Sequence, residues 1–258
     1  MTRSNRVTAL VAATLLVCAI VTGAIGVGSA QNGAFPIEED FDDGQPADWT
    51  LYADAEWSTE VGDNAEPSLL LTPNDNYKNG TALYTKSFPT DTGVTAEFRY
   101  YADEGDGADG ISFFFLNATQ VDTDNFALGA DGGSLGYSGN SQDTTPGVQG
   151  GFIGVGFDEY GNFANENYGE GGIKATRKGV TIRGAGDEAK GGNDYPYLES
   201  RIEFDIDGGW RRARITTDPT AGDADEIAFR IEMSFDGGTT WETVINSTYS
   251  ADDIGTSF

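Results

Sequence analysis

The chain has 258 residues, with 42 Asp and Glu against 15 Lys and Arg, no His and a single Cys. These counts exclude a Ser-His-Asp triad, a His general base, a His metal ligand, an intrachain disulfide and a Cys-rich zinc site. A net charge of −27 argues against nucleic acid or an anionic membrane as partner, while 38% hydrophobic and 12% aromatic residues suffice for a core.

Residues 1–30 read as a secretory signal peptide. Arg3 and Arg6 make a positive start, an apolar run extends from Val7 to Val27, and Gly28-Ser29-Ala30 supplies the small residues a signal peptidase reads. Gln31 is then the first mature residue, and the mature chain carries no transmembrane helix. An uncleaved anchor helix is the alternative. Val17 stands before Cys18 where a lipoprotein leader needs a small residue, so lipidation is not expected. Cleavage removes two Arg and no acid, leaving 13 basic against 42 acidic residues, a net charge of −29. Such acidity on an exported chain fits a halophilic source, where salt screens self-repulsion. The acids are dispersed, and the run from Asp103 to Gly110 lacks the ligand spacing of an EF-hand.

The mature chain, 31–258, reads as one all-β domain. Strand-like runs are expected at 68–71, 82–88, 94–101, 110–116, 152–157, 179–183, 201–206, 211–216, 227–235 and 241–245. Several alternate apolar and polar residues, which places one face on a core and the other in water. The run from Ile111 to Leu116 is almost wholly apolar and predicts a strand covered on both faces. Asn79-Gly80 and Asp236-Gly237-Gly238 are turn chemistry. No segment sustains a helical period, and the Gly-rich stretch 184–193 reads as a long loop. Many strands with tight turns imply a sandwich or barrel.

Three segments then carry a family resemblance: Ala108-Asp109-Gly110-Ile111-Ser112-Phe113-Phe114-Phe115, Leu128-Gly129-Ala130-Asp131-Gly132-Gly133-Ser134-Leu135-Gly136-Tyr137, and Gly154-Val155-Gly156-Phe157-Asp158-Glu159-Tyr160-Gly161-Asn162-Phe163. In order and separation they resemble the L-type (legume-lectin-like) lectins of the concanavalin A-like superfamily, in particular the exported bacterial and archaeal branch. Phe41-Asp42-Asp43-Gly44 with Trp49, and Val180-Thr181-Ile182-Arg183-Gly184, are also similar to that branch. The resemblance implies a jelly-roll β-sandwich with a sugar site on rim loops and glycans or glycoproteins as partners, in a secreted or cell-surface protein.

The resemblance assigns sugar binding to Asp109, Gly132, Gly133, Tyr160 and Asn162. A carboxylate accepting from two hydroxyls, backbone N–H groups on a glycine loop and an amide side chain together fix a sugar's orientation. Phe126, Tyr137, Tyr160 and Phe163 are the candidates for stacking on the ring. The family commonly holds calcium beside the site, and Asp158, the carbonyl of Tyr160, Asn162 and Asn167 fall at its ligand positions, with Glu166 adjacent. These are hard oxygen donors suited to Ca2+. The neighbouring transition-metal site is not expected, because Gly156 replaces an acid and the chain has no His. The resemblance also implies a cis Ala108–Asp109 bond. It implies a further closing strand beyond Phe258, hence a gap in a sheet or an exposed edge that another segment covers. An N-terminal segment in that place would remove the argument.

Each residue has a plainer reading, since isolated Asp and Asn in Gly-rich loops usually cap turns. The glycine segments are not phosphate loops, as no Lys follows and no helix begins. Asn79, Asn117 and Asn246 begin glycosylation sequons. An enzyme of the same fold is the main competitor: Glu203, Asp205 and Asp207 would line one strand face, as nucleophile and general acid do in glucanases. The final acid is Asp where such enzymes use Glu, and a solvated strand face accounts for the pattern. The expectation is therefore a lectin rather than an enzyme, with a surface adhesion module that does not bind sugar as the third reading.

Overall fold

The computed structural model describes residues 14–17 (backbone only), 36–90, 92–102, 108–142, 144–174, 177–186, 194–219 and 225–254. In chain order the strands are β1 (Thr14–Val17), β2 (Ile37–Glu39), β3 (Trp49–Ala53), β4 (Glu56–Val61), β5 (Glu66–Leu70), β6 (Gly80–Tyr84), β7 (Val94–Ala102), β8 (Gly110–Leu116), β9 (Gly151–Asp158), β10 (Gly179–Arg183), β11 (Tyr197–Ile202), β12 (Gly209–Asp218), β13 (Glu226–Ser234) and β14 (Glu242–Ser250). A single helical turn, α1 (Ala251–Ile254), follows. A six-stranded sheet runs β14–β13–β12–β7–β1–β2, a four-stranded sheet runs β11–β10–β9–β8, and β3–β6 and β4–β5 form two-stranded sheets. All strand pairs are antiparallel.

The two larger sheets share one core, so the protein is an all-β sandwich. On β7, Val94, Ala96, Phe98 and Tyr100 are buried while Thr95, Glu97 and Arg99 alternate outward. Ile215, Phe229, Ile231 and Met233 continue the apolar layer across the six-stranded sheet, against Ile153, Val155, Phe157, Val180 and Ile182 of the other. Each such side chain contributes about 1.5–3 kcal/mol by leaving water. The outer face of the six-stranded sheet carries a ladder of opposite charges. Glu97 receives Arg212 at 3.0 Å and Arg214 at 2.8 Å, Glu232 receives Arg230 at 2.6 Å, and Arg99 pairs with Glu66. The Arg214 guanidinium also lies 3.9 Å from the Trp241 ring centre.

The β13–β14 connection is organised by Asp236. Its carboxylate accepts from the Ser234 and Thr240 hydroxyls and the Thr239 and Thr240 N–H groups, which hold it down at about 2. Gly237 and Gly238, at φ of 77° and 98°, supply the left-handed backbone of this turn.

Several expectations need correcting. β2, β3 and β4 lie where no strand is expected from the sequence: all three are short, and β2 and β4 are largely polar. β11 occupies Tyr197–Ile202 rather than 201–206. The segment from Glu203 to Asp207 is not a strand: Glu203 adopts φ 56°, Glu203 and Asp205 are exposed, and Asp207 is buried against the Lys178 ammonium at 2.6 Å. The three acids therefore do not line one solvated face. β8 is half-buried along its whole length rather than fully covered, since it is the edge of its sheet.

The expected gap is not there. β1 fills the place between β7 and β2, with Thr14, Leu15, Leu16 and Val17 opposite Arg99, Phe98, Glu97 and Ala96. An N-terminal segment occupies the position in the full chain, and it falls within the expected leader 1–30, the rest of which lies outside the described residues. Most of the Gly-rich loop 184–193, the end 255–258 and residues 103–107 lie outside the described residues. Among the described residues no helix is long and apolar enough to cross a membrane.

Candidate functional site

Three loops meet at one rim of the sandwich. The first enters β8 through Asp109, and the Ala108–Asp109 bond is cis, as expected. The second is the short 3-10 turn Gly132–Ser134. The third leaves β9 at Asp158 and runs through Asn162. A Cβ built on Gly132 would lie 3.7 Å from Asp109 Oδ2, so that glycine borders the carboxylate. A Cβ on Gly133 would lie 2.4 Å from Asn162 Cβ and 2.8 Å from the Tyr168 ring. Only glycine admits that approach. Asp109, Gly132, Gly133 and Asn162 therefore converge, although sequence places them on separate loops.

The first and third loops are joined directly, because the Glu159 N–H donates to the Asp109 carbonyl at 2.9 Å. The Asp109 carboxylate is half-buried, and burial, with Asp131 nearby, raises its pKa above the usual carboxylate value. Among the described residues no hydrogen bond lowers it. A partly desolvated carboxylate acceptor is suited to receive hydroxyl hydrogens from a ligand. Asn79 reaches the same rim, its Nδ2 lying 3.4 Å from Asp131 Oδ2.

The proposed metal donors are arranged differently. Asp158 closes its own loop: Oδ1 accepts from the Tyr160 and Gly161 N–H groups at 3.0 and 2.7 Å, and Oδ2 from the Phe163 N–H at 2.6 Å. Burial nevertheless raises it to about 6. Three of its roughly four lone-pair positions are engaged by the backbone. The Asn167 N–H donates to Asn165 Oδ1, and its carbonyl accepts from the Ser141 N–H and hydroxyl. The set Asp158, Tyr160, Asn162 and Asn167 is hard-oxygen chemistry appropriate to calcium, but carries one formal charge. Among the described residues no group of three or more His, Cys, Asp or Glu is placed to hold a metal.

Of the four aromatic candidates, Tyr137 and Phe163 are fully buried and cannot meet a ligand. They fail because both fill the layer beneath the rim, with Tyr137 packed against Phe114, Phe163 and Tyr195. Phe126 is half-buried on Tyr52. Tyr160 remains 43% exposed, with the Arg177 guanidinium 5.2 Å from its ring centre.

Two supporting residues were not found from sequence. Arg183 is wholly buried and is held by carbonyls alone among its close partners: Nε donates to Phe163 at 2.7 Å, and the terminal nitrogens to Tyr195 and Asn165 at 2.8 Å each. Burial lowers its pKa to about 10. This cation ties down the loop that carries Asn162. Glu159 is buried behind Asp109, and its Oε2 has no hydrogen-bond partner. Burial, then the negative Asp207, pushes it up to about 7. Both residues look like ordinary loop or strand-end charges in the sequence. No family model matches the chain, and no curated protein matches its sequence.

Proposed function

We propose that the protein is an exported carbohydrate-binding protein, a lectin of the L-type whose jelly-roll rim recognises glycans through Asp109, Gly132, Gly133 and Asn162, with Tyr160 as the exposed stacking ring. The observation that carries this reading is the convergence of a half-buried Asp109 carboxylate with a glycine turn pressed against Asn162. The carboxylate accepts from sugar hydroxyls, and the amide and glycine backbone read the remaining ones. The acid strand on which a glucanase reading rests is not formed, since Glu203 breaks the extended backbone and Asp207 is buried. Calcium belongs to the proposal as an auxiliary to the Asp158 loop. It would be held through the remaining lone pair of Asp158 and neutral oxygens of Tyr160, Asn162 and Asn167, where it would stiffen the loop.

A glycan array in high salt, with and without calcium, tests the reading. The parent should bind a defined set of glycans, and Asp109→Ala should lose about 1.5–3 kcal/mol of that affinity. Glu203→Ala should bind as the parent does. Absence of binding to any glycan by the parent, or full binding by Asp109→Ala, would overturn the proposal. Loss of a measured glycan hydrolysis in Glu203→Ala would replace it with an enzyme.

A further inference from the structure

We propose that the loop between β5 and β6 forms a second sugar subsite beside Asp109, with Tyr77 as its stacking ring and the Asn79 amide as its polar contact, so that the ligand is an oligosaccharide rather than a single sugar. The inference rests on the lectin reading above and extends the same rim.

Residues 72–79 make a closed loop, because its ends touch. A Cβ built on Gly80 would lie 1.9 Å from the Leu71 carbonyl oxygen and 2.8 Å from the Ala55 nitrogen, so a side chain there would push the two ends apart. Asp54, in the turn between β3 and β4, pins the returning limb. Its carboxylate accepts from Lys78 Nζ at 2.9 Å and from the Asn79 N–H at 3.1 Å, and its own N–H donates to the Asn79 carbonyl at 2.8 Å. Asn79 is thereby fixed through its backbone, which leaves its side chain to face the rim.

This scaffold holds up an aromatic ring. Tyr77 is wholly exposed, more so than any other large hydrophobic side chain among the described residues, while Tyr160 is 43% exposed. Its backbone is left-handed, with φ 60°, a conformation that a bulky residue keeps only where its surroundings impose it. A ring left in water adds no burial to the fold, so packing does not account for it. A tyrosine ring is an apolar plate with a polar tip, suited to the C–H face of a pyranose.

The position of the ring decides its partner. Asn79 Nδ2 lies 3.4 Å from Asp131 Oδ2, and Asp131 opens the turn that carries Gly132 and Gly133. Gly132 borders the Asp109 carboxylate, and Gly133 is pressed against Asn162. Tyr77, Lys78 and Asn79 line the same cleft as Asp109, Asp131 and Gly132. Contacts therefore run along the rim from Asn162 through Gly133, Gly132 and Asp131 to Asn79, and Tyr77 is two residues further, within about 7 Å of chain. Asp109, Gly133 and Asn162 hold one sugar at the glycine turn. Asn79 and Tyr77 lie one contact beyond it, where the next sugar of a chain would rest. The Asn79 carbonyl oxygen and its second amide hydrogen would accept from and donate to that sugar's hydroxyls, and the Tyr77 ring would cover its apolar face.

The experiment uses the full chain in high salt on an array of mono-, di- and trisaccharides of glucose, galactose, mannose and N-acetylglucosamine. Calorimetry then compares the methyl glycoside and the disaccharide of each sugar that binds. The parent should hold the disaccharide at least about tenfold more tightly than the methyl glycoside. Tyr77→Ala should lose that advantage and keep the methyl glycoside affinity. Tyr77→Phe should keep both, because stacking uses the ring face. Asp54→Ala releases Lys78 and the Asn79 N–H and should lose part of the same advantage. Asp109→Ala should lose both ligands. Equal urea midpoints for Tyr77→Ala and the parent would show that the ring serves binding rather than the fold. The proposal is overturned if Tyr77→Ala binds the disaccharide as the parent does, if the parent binds disaccharide and methyl glycoside alike, or if Tyr77→Phe loses as much as Tyr77→Ala. In those cases Asp109-dependent binding of the single sugar survives. Failure of the lectin reading differs: no sugar binds the parent, and the subsite falls with it.

Discussion

The end of the sandwich over β9 and β10 is filled, whereas the end lined by β2, β6, β7 and β8 opens on a cleft of about 1530 Å3. At the filled end Tyr137, Phe163 and Tyr195 interlock beneath the rim, and the Tyr137 and Tyr195 hydroxyls find the Gly184 and Val148 carbonyls. At the open end Phe113 and Phe115 are only half-buried, although they are as apolar as anything in the core. Amino-acid composition is not what separates the two. The filled end is backed by loops and a buried cation, whereas the open end has Phe88 against Phe115 and otherwise adjoins the cleft. Side-chain loss should therefore cost most where neighbours already touch on every side.

The comparison can be broken at its strongest point first. Arg183→Met strands the carbonyls of Phe163, Asn165 and Tyr195, each worth about 1–3 kcal/mol when left buried and unpaired. Urea denaturation should show the largest loss here, and a change under about 1 kcal/mol would mean that the guanidinium does not hold the loop. Phe229→Ala, in the shared core, should cost about 3–5 kcal/mol. Phe115→Ala, beside the cavity, should cost about 1–2 kcal/mol by the same measurement, because it vacates space that already adjoins emptiness. Equal costs at the two phenylalanines would show that the open end is packed in solution.

The smallest effect concerns Glu159. Its folded pKa of about 7 lies above the ordinary value of 4.5, so the folded state holds the proton more tightly. The resulting stabilisation is complete below pH 4.5 and is lost as pH rises through about 7. Glu159→Gln removes that loss. At pH 8 it should be more stable than the parent by on the order of 1 kcal/mol, with no gain at pH 4. Asp158 titrates nearby, raised to about 6, but is common to both proteins. A gain that is equal at both pH values would refute the assignment.

Much of the sandwich was legible because alternation of burial is written into β7, β12 and β13, where one face meets the core and the other carries Arg and Glu. β2 to β4 were not, since short strands such as Glu56–Val61 mix acids and hydroxyls with few apolar residues. The shift of β11 has a local cause. Apolar and acidic residues continue to alternate through Asp207, but Glu203 turns to positive φ, a choice that side chain gives no sign of making. At the rim, spacing alone did not bring Asp109, Gly133 and Asn162 together; the family resemblance did. Arg183 and Glu159 escaped because their meaning depends on carbonyls and apolar walls from distant segments.

The Asp236 turn has a consequence for the order of assembly. Its carboxylate is satisfied wholly by groups within four residues, so the β13–β14 hairpin can close before distant parts of the chain arrive. β12 adds to that hairpin across a single connection, giving a three-stranded meander of adjacent sequence. By contrast β7 reaches β12 from more than a hundred residues away, Val94 meeting Thr217. Loop closure over that distance carries a larger entropy cost and is slow. In pulsed hydrogen exchange during refolding, amides of 209–250 should gain protection before those of 94–102. The C-terminal meander is then the template on which the rest of the six-stranded sheet is laid down.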